Sequence, residues 1–563
     1  MTRWTSRKTD PDACAALARG AGVSSVSASL LLARGVFDAP GASQFFAPGL
    51  SQGHDPFRMK GMERAVDVLV SAAREREKIV VFGDYDVDGV TAVAQLRAVL
   101  GALGANSVPF LPHRVRDGYG LRPETFRRVF EQHRPKAIVT VDCGITAVAA
   151  VAEATAAGVD VVITDHHLPA DVLPDGASIV NPKQPGCGYP FKDLCGAGVA
   201  FKIAQGIIRR ERLSLSERSL AKVAALGTIS DIVPLLGENR GIVAEGLAGL
   251  GDPRAPGLRA LLEEAGLSGR PPRAEDVAFR VAPRLNAAGR LDTADLALAV
   301  FEEKDPMAAA EIARELTSRN VERQQHERRV VSESRARILE RGDPASRAVL
   351  IEADRTWPRG VLGIAASRLA REFHRPAFLF ALDDSNAVGS GRSVPGVSIH
   401  AILSEIRSRF VEFGGHAQAC GGTIRAGDFE AFRESAEELF RLRVPEEHRS
   451  AELLIDGELS FSQIREEFLG ELERFEPFGE ANAQPVFLTR RVSSRSGLRR
   501  VGERGCRGIL AAGGREIRAI AWNLSDRWES LAAAEMDVAY HVRRNARYGN
   551  LEIEIVDVRE PAP

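Results

Sequence analysis

Two hydrophobic rhythms alternate along this chain and divide it into stretches. Up to about residue 75, short helical patterns are interrupted by Gly and Pro, as in the irregular strap FDAPGASQFFAPGL. From residue 78 the pattern becomes short β-branched runs, each followed by an alanine-rich helical segment: KIVVFGDYDVDG leads into VTAVAQLRAVLGAL, and SVPFLP, KAIVTVDCG with TAVAAVAEATAAG, and DVVITDHH follow. Repeated strand–helix–strand units predict a mostly parallel sheet with helices on its faces. The polar residues fall just after the apolar runs, at the carboxyl ends of the strands, where open α/β sheets hold their ligands.

Further along, residues 308 to 341 run without proline or glycine. At 1.5 Å per residue such a helix is about 50 Å long. No strict heptad runs through it, so we read a connecting helix and not a coiled coil. A second α/β pattern follows, with RAVLIEA, GVLGIAASRLAREF, PAFLFAL, the loop GSGRSVPG and the glycine-rich turn EFGGHAQACGGTI. Beyond a helical segment at 428 to 444, six strand-like runs (AELLIDGEL, QPVFLTRRVSS, RGILAAG, EIRAIAW, MDVAYHVRR and LEIEIVDVRE) predict a small OB-type β-barrel, a generic β-sandwich being the plainer alternative. The expected division is 1–75 irregular and helical, 76–305 an α/β catalytic domain with a helical insertion, 306–342 the long helix, 343–448 the second α/β domain and 449–563 the barrel.

Composition is that of an ordinary globular protein, with 44% hydrophobic and 27% charged residues. The net charge of -2 gives no global basic signature, but arginines cluster at 314–341 and 490–518, where a local patch can still meet nucleic acid. Six cysteines without a C-x-x-C pair fit a reducing compartment, and no signal peptide or long apolar span is legible, so a cytoplasmic protein is expected.

The candidate chemistry sits at the strand ends. Asp84, Asp86 and Asp88 stand in GDYDVDG, and on an extended segment alternate side chains share a face. Asp142 follows AIVTV, Asp165, His166 and His167 follow VVIT, and Asp231 stands in GTISDIVPL. Carboxylates packed this closely need cations to neutralise them. Mixed imidazole and carboxylate suit manganese, iron or zinc, and carboxylate oxygens also accept magnesium. Two such ions, about 3.5–4 Å apart, activate water and stabilise charge on phosphate oxygens.

These motifs resemble the DHH phosphoesterase family, with GDYDVDG, VDCG, TDHH and TISDIVPL standing in order as its four motifs, and within it the bacterial single-strand-specific DNA exonucleases. The resemblance implies a DHH-type parallel-sheet domain joined by the long helix to a second α/β domain and followed by the OB-type barrel. It implies metal ligands drawn from Asp84, Asp86, Asp88, Asp142, His166, His167 and Asp231, holding two divalent cations, Mn2+ or Mg2+. One division puts Asp86, Asp142 and Asp231 on one ion and Asp88, Asp142 and His166 on the other, with His167 either a ligand or a group that orients phosphate. Some relatives carry histidine where this chain has Phe82.

The likeness continues past the metals. PRLNAAGR implies Arg284, Asn286 and Arg290 as phosphate contacts, and LTSRNVERQ implies that Asn320, Arg323 and Gln324 face the cleft. WPRGVLGI has Pro358 where the family usually has histidine; GSGRS offers Ser390 and Arg392 as a cradle for a terminal phosphate, and GGHAQACGG contributes His416. The barrel follows ERFEPFGEANAQPVF, with Ala481 in place of a usual glycine and Gly508 near a usual lysine; Arg490, Arg491, Arg507 and Tyr548 are its candidate strand contacts. The activity implied is 5'→3' hydrolysis of single-stranded DNA to 5'-mononucleotides in repair and recombination, by a monomer whose substrate is supplied by a helicase and shared with a single-strand-binding protein. A phosphodiesterase for short RNA or cyclic dinucleotides, a pyrophosphatase and a non-catalytic single-strand-binding scaffold are the competing readings. The barrel argues against the first two, and the complete acidic set argues against the third.

Overall fold

In the computed structural model, residues 2–561 are described, apart from 115, 292, 497–498, 503–504, 525–526, 530–534 and 546–547. The chain divides into two units, one made mainly of Trp4–Leu285 with Leu454–Pro563 and the other mainly of Glu311–Leu453 with Asn286–Thr293.

The first unit is built on a five-stranded sheet ordered Asn106–Phe110, Lys78–Gly83, Ala137–Val141, Asp160–Thr164 and Ser178–Val180, with every pairing parallel. The central strands are buried throughout, which is why they read as continuous apolar runs and not as alternation. Register matters most at the carboxyl edge: Gly83 lies opposite Val141 and Val141 opposite Thr164, so the next residues, Asp84, Asp142 and Asp165, start from one row. Helix Val87–Ala102 carries Asp88, helix Glu217–Ser230 ends at Asp231, and helix Gly196–Glu211 turns its N-terminus to Asp88. The N-terminal stretch forms helices Pro11–Ala21, Ser25–Leu32, Ala39–Phe46 and Met62–Arg74.

The same unit contains the barrel. Strands Phe487–Ser494, Met536–Arg544, Leu551–Arg559, Arg515–Trp522 and Gly505–Ala512 pair in that order, and Phe487–Ser494 closes the ring by pairing also with Gly505–Ala512. A closed five-stranded barrel is the OB architecture. Of the six runs expected to belong to it, Glu452–Ile455 lies outside this sheet. Arg240, 2% exposed, ties the entry to the barrel: its guanidinium donates to the carbonyls of Phe45, Arg474, Phe475, Glu476 and Pro477 and lies 4.0 Å from the Phe45 ring centroid.

The second unit holds a mixed five-stranded sheet ordered Glu412–His416, Ala419–Arg425, Asn386–Arg392, Ala377–Leu382 and Leu350–Asp354. Only the last pair is parallel, joined across helix Leu362–Phe373. The predicted long helix is a single element of 35 residues, Pro306–Glu340. Among the described residues no single helix is long and apolar enough to cross a membrane.

Candidate metal centre

Strand Lys78–Gly83 stops one residue before Asp84, and Asp86 caps helix Val87–Ala102, accepting from the Gly89 N–H at 3.1 Å. Asp88 therefore lies in the first helical turn. The three aspartates are brought together by a strand-to-helix turn and not by alternation along an extended segment, which corrects that expectation. Gly89 permits the turn, because a Cβ there would lie 2.5 Å from the Asp84 carbonyl oxygen.

Asp88 is received by a second helix. Its Oδ2 accepts from the Gly196 N–H at 2.6 Å and its Oδ1 from the Ala197 N–H at 2.8 Å, at the N-terminus of Gly196–Glu211, where unpaired N–H groups and the helix dipole favour an anion. Gly196 also leaves room for Asp142, whose Cβ would be 2.5 Å from a Cβ at that glycine. Asp142 itself has φ +60°, unusual for a residue with a side chain, and its N–H is held by the Thr164 carbonyl at 3.0 Å. Asp231 ends helix Glu217–Ser230 and comes within 3.6 Å of His166 Nε2.

The donor atoms fall into three overlapping groups, each with all members within 4.8 Å: Asp84, Asp86 and Asp142; Asp88, His166 and Asp231; and Asp142, His166 and His167. Asp142 and His166 each belong to two groups. Asp231 groups with Asp88 and His166, where the sequence-based division had placed it beside Asp86 and Asp142.

Whether these residues fit cations is tested by their unmet polar atoms. Asp84 Oδ1, Asp142 Oδ1 and both ring nitrogens of His166 are buried without a hydrogen-bond partner. His166 Nε2 and Asp142 Oδ1 are 3.1 Å apart, yet the pair is not aligned as a hydrogen bond; both atoms point into shared space. Buried polar atoms left this way are costly. Burial, reinforced by neighbouring carboxylates, pushes Asp84 and Asp142 well above the usual carboxylate range and Asp231 up to about 9, while burial pushes His166 down to about 4. A site that opposes charge on its acids and protonation of its imidazole is one completed by divalent cations, and the donor set fits them.

Asp165 has a different place. Its Oδ2 accepts from the Ile145 N–H at 2.9 Å, and its Oδ1 accepts from the N–H groups of His166 and His167 and from His167 Nδ1 at 2.8 Å. Despite burial, these bonds hold its carboxyl below the usual range. Tyr119 was not singled out by sequence reasoning: its hydroxyl donates to the Asp142 carbonyl at 3.1 Å and lies 3.2 Å from His167 Nδ1. Its only signal was an aromatic between two glycines, DGYGL.

The proposed substrate contacts have varied settings. Arg284 is tied to the carbonyls of Arg280 and Glu264. In the second unit, Arg290 donates to the Gly360 carbonyl at 3.4 Å, and Asn286 is half-buried nearby in sequence. Arg323 is 7% exposed and engages Asn320 Oδ1 at 2.9 Å and Glu327 at 2.7 Å, so its donors serve its own helix; Gln324 beside it is half-buried. Arg392 donates to Ser390 Oγ at 3.1 Å, and a Cβ on Gly363, in the first turn of Leu362–Phe373, would lie 2.9 Å from both Arg392 Nη2 and Ser390 Oγ. Helix start, hydroxyl and guanidinium thus converge. His416 is exposed in a hairpin. On the barrel, Arg490 pairs with Glu458 at 3.0 Å, whereas Arg491, Arg507 and Tyr548 are exposed.

Comparison with known proteins agrees with this geometry. Residues 78–228 match the DHH family, N-terminal domain, residues 346–442 the DHHA1 domain and residues 455–557 the RecJ OB domain. The chain is 34% identical over 524 residues to the single-stranded-DNA-specific exonuclease RecJ of Salmonella typhimurium, covering 89% of this chain and 90% of that protein. It is 37% identical over 488 residues to the Bacillus subtilis protein of the same name, covering 86% of this chain and spanning 61% of that protein's length. The crystal structure of RecJ in complex with Mn2+ from Thermus thermophilus superposes with a TM-score of 0.85 at 32% identity, covering 100% of this chain and 80% of that one. With its four acidic and histidine motifs gathered at one sheet edge and its OB barrel closed, the chain belongs to the RecJ family of DHH proteins.

Proposed function

We propose that this protein is a metal-dependent exonuclease that degrades single-stranded DNA from the 5' end to 5'-mononucleotides. The observation that carries the reading is the set of buried, unpartnered donor atoms on Asp84, Asp142 and His166 at the edge of the parallel sheet. The activity for which the relatives are named, single-stranded-DNA-specific exonuclease, supports the substrate, and relatives crystallised with Mn2+ and with Mg2+ support the ions.

Asp84, Asp86 and Asp142 would hold one cation, and Asp88, His166 and Asp231 the other, with Asp142 between them. When bound, the two ions activate water and neutralise charge building on the scissile phosphate. His167, held at Nδ1 by Asp165, keeps Nε2 turned to the phosphate, and in its protonated form donates there to the leaving 3' oxygen. Burial opposes that proton, but the Asp165 hydrogen bond and the charges of Asp165, Asp88 and Asp84 together outweigh it and raise His167 above the ordinary histidine value. The Ser390–Arg392 cluster, with the start of helix Leu362–Phe373, supplies the donors that a 5'-terminal phosphate requires. The enzyme would act in the cytoplasm on strand opened by a helicase and shared with single-strand-binding protein.

The test is hydrolysis of a 3'-labelled single-stranded oligonucleotide with Mn2+ or Mg2+. Shortening from the 5' end, absent with chelator and with duplex, is the expected result. Binding without cleavage in either metal would overturn it in favour of a scaffold, and cleavage confined to two- to five-nucleotide RNA in favour of a short-RNA phosphodiesterase.

A further inference from the structure

A groove of about 720 Å³ lies between the segment after helix Glu217–Ser230, the turn at 270–279 and the linker 476–484 that leads into the barrel. That volume is in the range of sites that enclose whole small ligands, about 300–1,000 Å³. Two backbone features give the groove its character. Ile232, the residue after Asp231, has φ +59°, a conformation that β-branched residues rarely adopt, and its side chain is 69% exposed. Opposite, Val277–Val281 forms a π-helical turn closed by Ala282 N–H on the Val277 carbonyl, and Phe279 on that turn is 71% exposed. Turns of this kind cluster at functional sites. Two large apolar side chains are thus held towards solvent by irregular backbone, facing one depression together with Pro477 and Phe478.

The charges around the groove say which part of a ligand it meets. Arg270 is paired with Asp276 at 3.2 Å and Arg273 with Glu476 at 3.7 Å, while Glu275 and Glu480 add negative charge to the lining. With its two arginines ion-paired, the rim has no free positive charge to draw phosphates, and its apolar lining suits an uncharged, flat group. One end of the groove is formed by Ile229 and Ile232, which bracket the metal-site residue Asp231; the other is the linker, fastened by the Leu235 N–H to the Glu480 carbonyl at 2.9 Å. The groove therefore adjoins both the segment that carries Asp231 and the linker into the barrel.

We infer that this groove receives the unpaired bases of the incoming DNA strand, just 3' of the scissile phosphate, with Phe279 as the stacking residue and the phosphates turned outward. The inference rests on the nuclease reading and adds to it a physical source of single-strand selectivity: paired bases present no free face to Phe279. Aromatic stacking is tolerant of base identity, as an exonuclease without sequence preference requires.

The test separates the two readings by measuring binding apart from turnover. Dissociation constants are taken by fluorescence anisotropy with Mg2+ on a phosphorothioate-blocked oligothymidylate carrying one abasic residue at successive positions from the 5' end. With the native enzyme, affinity is expected to fall about 5- to 150-fold when the abasic residue occupies a window of two or three positions, the range expected for losing one stacked base. Phe279→Ala should show a similar loss on the intact oligonucleotide and no further loss in that window, and Phe279→Trp should restore both. A window that persists unchanged in Phe279→Ala, or an alanine variant that binds within twofold of the native enzyme, overturns the inference. Failure of the native enzyme to cleave an unblocked oligonucleotide would count against the nuclease reading alone, since the binding scan needs no cleavage.

Discussion

Asp165 Oδ1 accepts the Nδ1 hydrogen of His167 at 2.8 Å while also accepting that residue's backbone N–H at 3.1 Å. The carboxylate thereby holds the ring by Nδ1, leaving Nε2 for the phosphate contact proposed above. Asp165→Asn keeps the shape but offers an amide where an acceptor is needed. Partners of this kind typically contribute 10- to 100-fold to activity or metal affinity. We expect kcat on single-stranded DNA to fall by about that factor, with a higher Mn2+ concentration needed for half-maximal activity; full activity in the asparagine variant would remove Asp165 from this role.

Arg392 and Ser390 come together beside Gly363, where any side chain would intrude on both. Arg392→Ala and Gly363→Ala should therefore damage the same property, preference for a 5'-phosphorylated over a 5'-hydroxyl end. A hydrogen bond to a charged group contributes about 1.5–3 kcal/mol, so the ratio of kcat/KM on the two ends should shrink about 10- to 100-fold. Equal losses on both ends would show that the cluster holds no terminal phosphate.

The strand ends were readable because a buried parallel strand announces itself as a continuous apolar run, and the first residue after it is the first that can face the cleft. That logic located Asp84, Asp142 and the TDHH run. It misjudged Asp88, since alternation and a helical first turn both place acids at two-residue spacing, and only the helix start at Val87 distinguishes them. Tyr119 was illegible because its loop reaches Asp142 and His167 only through the fold. In the run AELLIDGEL, Glu452–Ile455 is apolar enough for a barrel strand but lies outside that sheet, and only Gly457–Glu458 joins it beside Phe487–Leu488, a matter of partner choice and not of propensity. The commitment of Arg323 to Glu327, by contrast, was open to reading: an arginine and a glutamate four apart on a long helix are neighbours.

Arg240 offers a stability prediction. It is buried and satisfies carbonyls from two distant parts of the chain, Phe45 and the 474–477 linker, where Asn482 also donates to Phe475 and Pro477. Arg240→Met should lower stability by about 3–5 kcal/mol, as breaking a buried charged network does. Limited proteolysis should then cut first near 474–484, and a melting temperature unchanged from the native enzyme would contradict the clamp.

Asp117 gives the pH dependence. Arg128 donates to both its oxygens at 2.6 and 2.8 Å, Arg116 adds two longer bonds, and the His113 N–H a fifth at 2.7 Å. The Arg128 guanidinium, chiefly, holds the Asp117 carboxyl well below the usual carboxylate range. A carboxylate whose folded-state pKa is depressed adds stability that is fully present above its unfolded value of about 3.9 and is lost as pH falls towards the folded value. Asp117→Asn should therefore be less stable by about 2 kcal/mol near pH 6, in line with hydrogen bonds to charged groups. Below about pH 4 the gap should narrow, because Asp117 takes up a proton in the unfolded chain while it stays ionised in the folded one. Melting temperatures of both proteins, measured in parallel from pH 6 to pH 3, decide the matter: converging curves support the assignment. A constant offset would mean that Asp117 acts through its shape and hydrogen-bonding capacity and not through its charge.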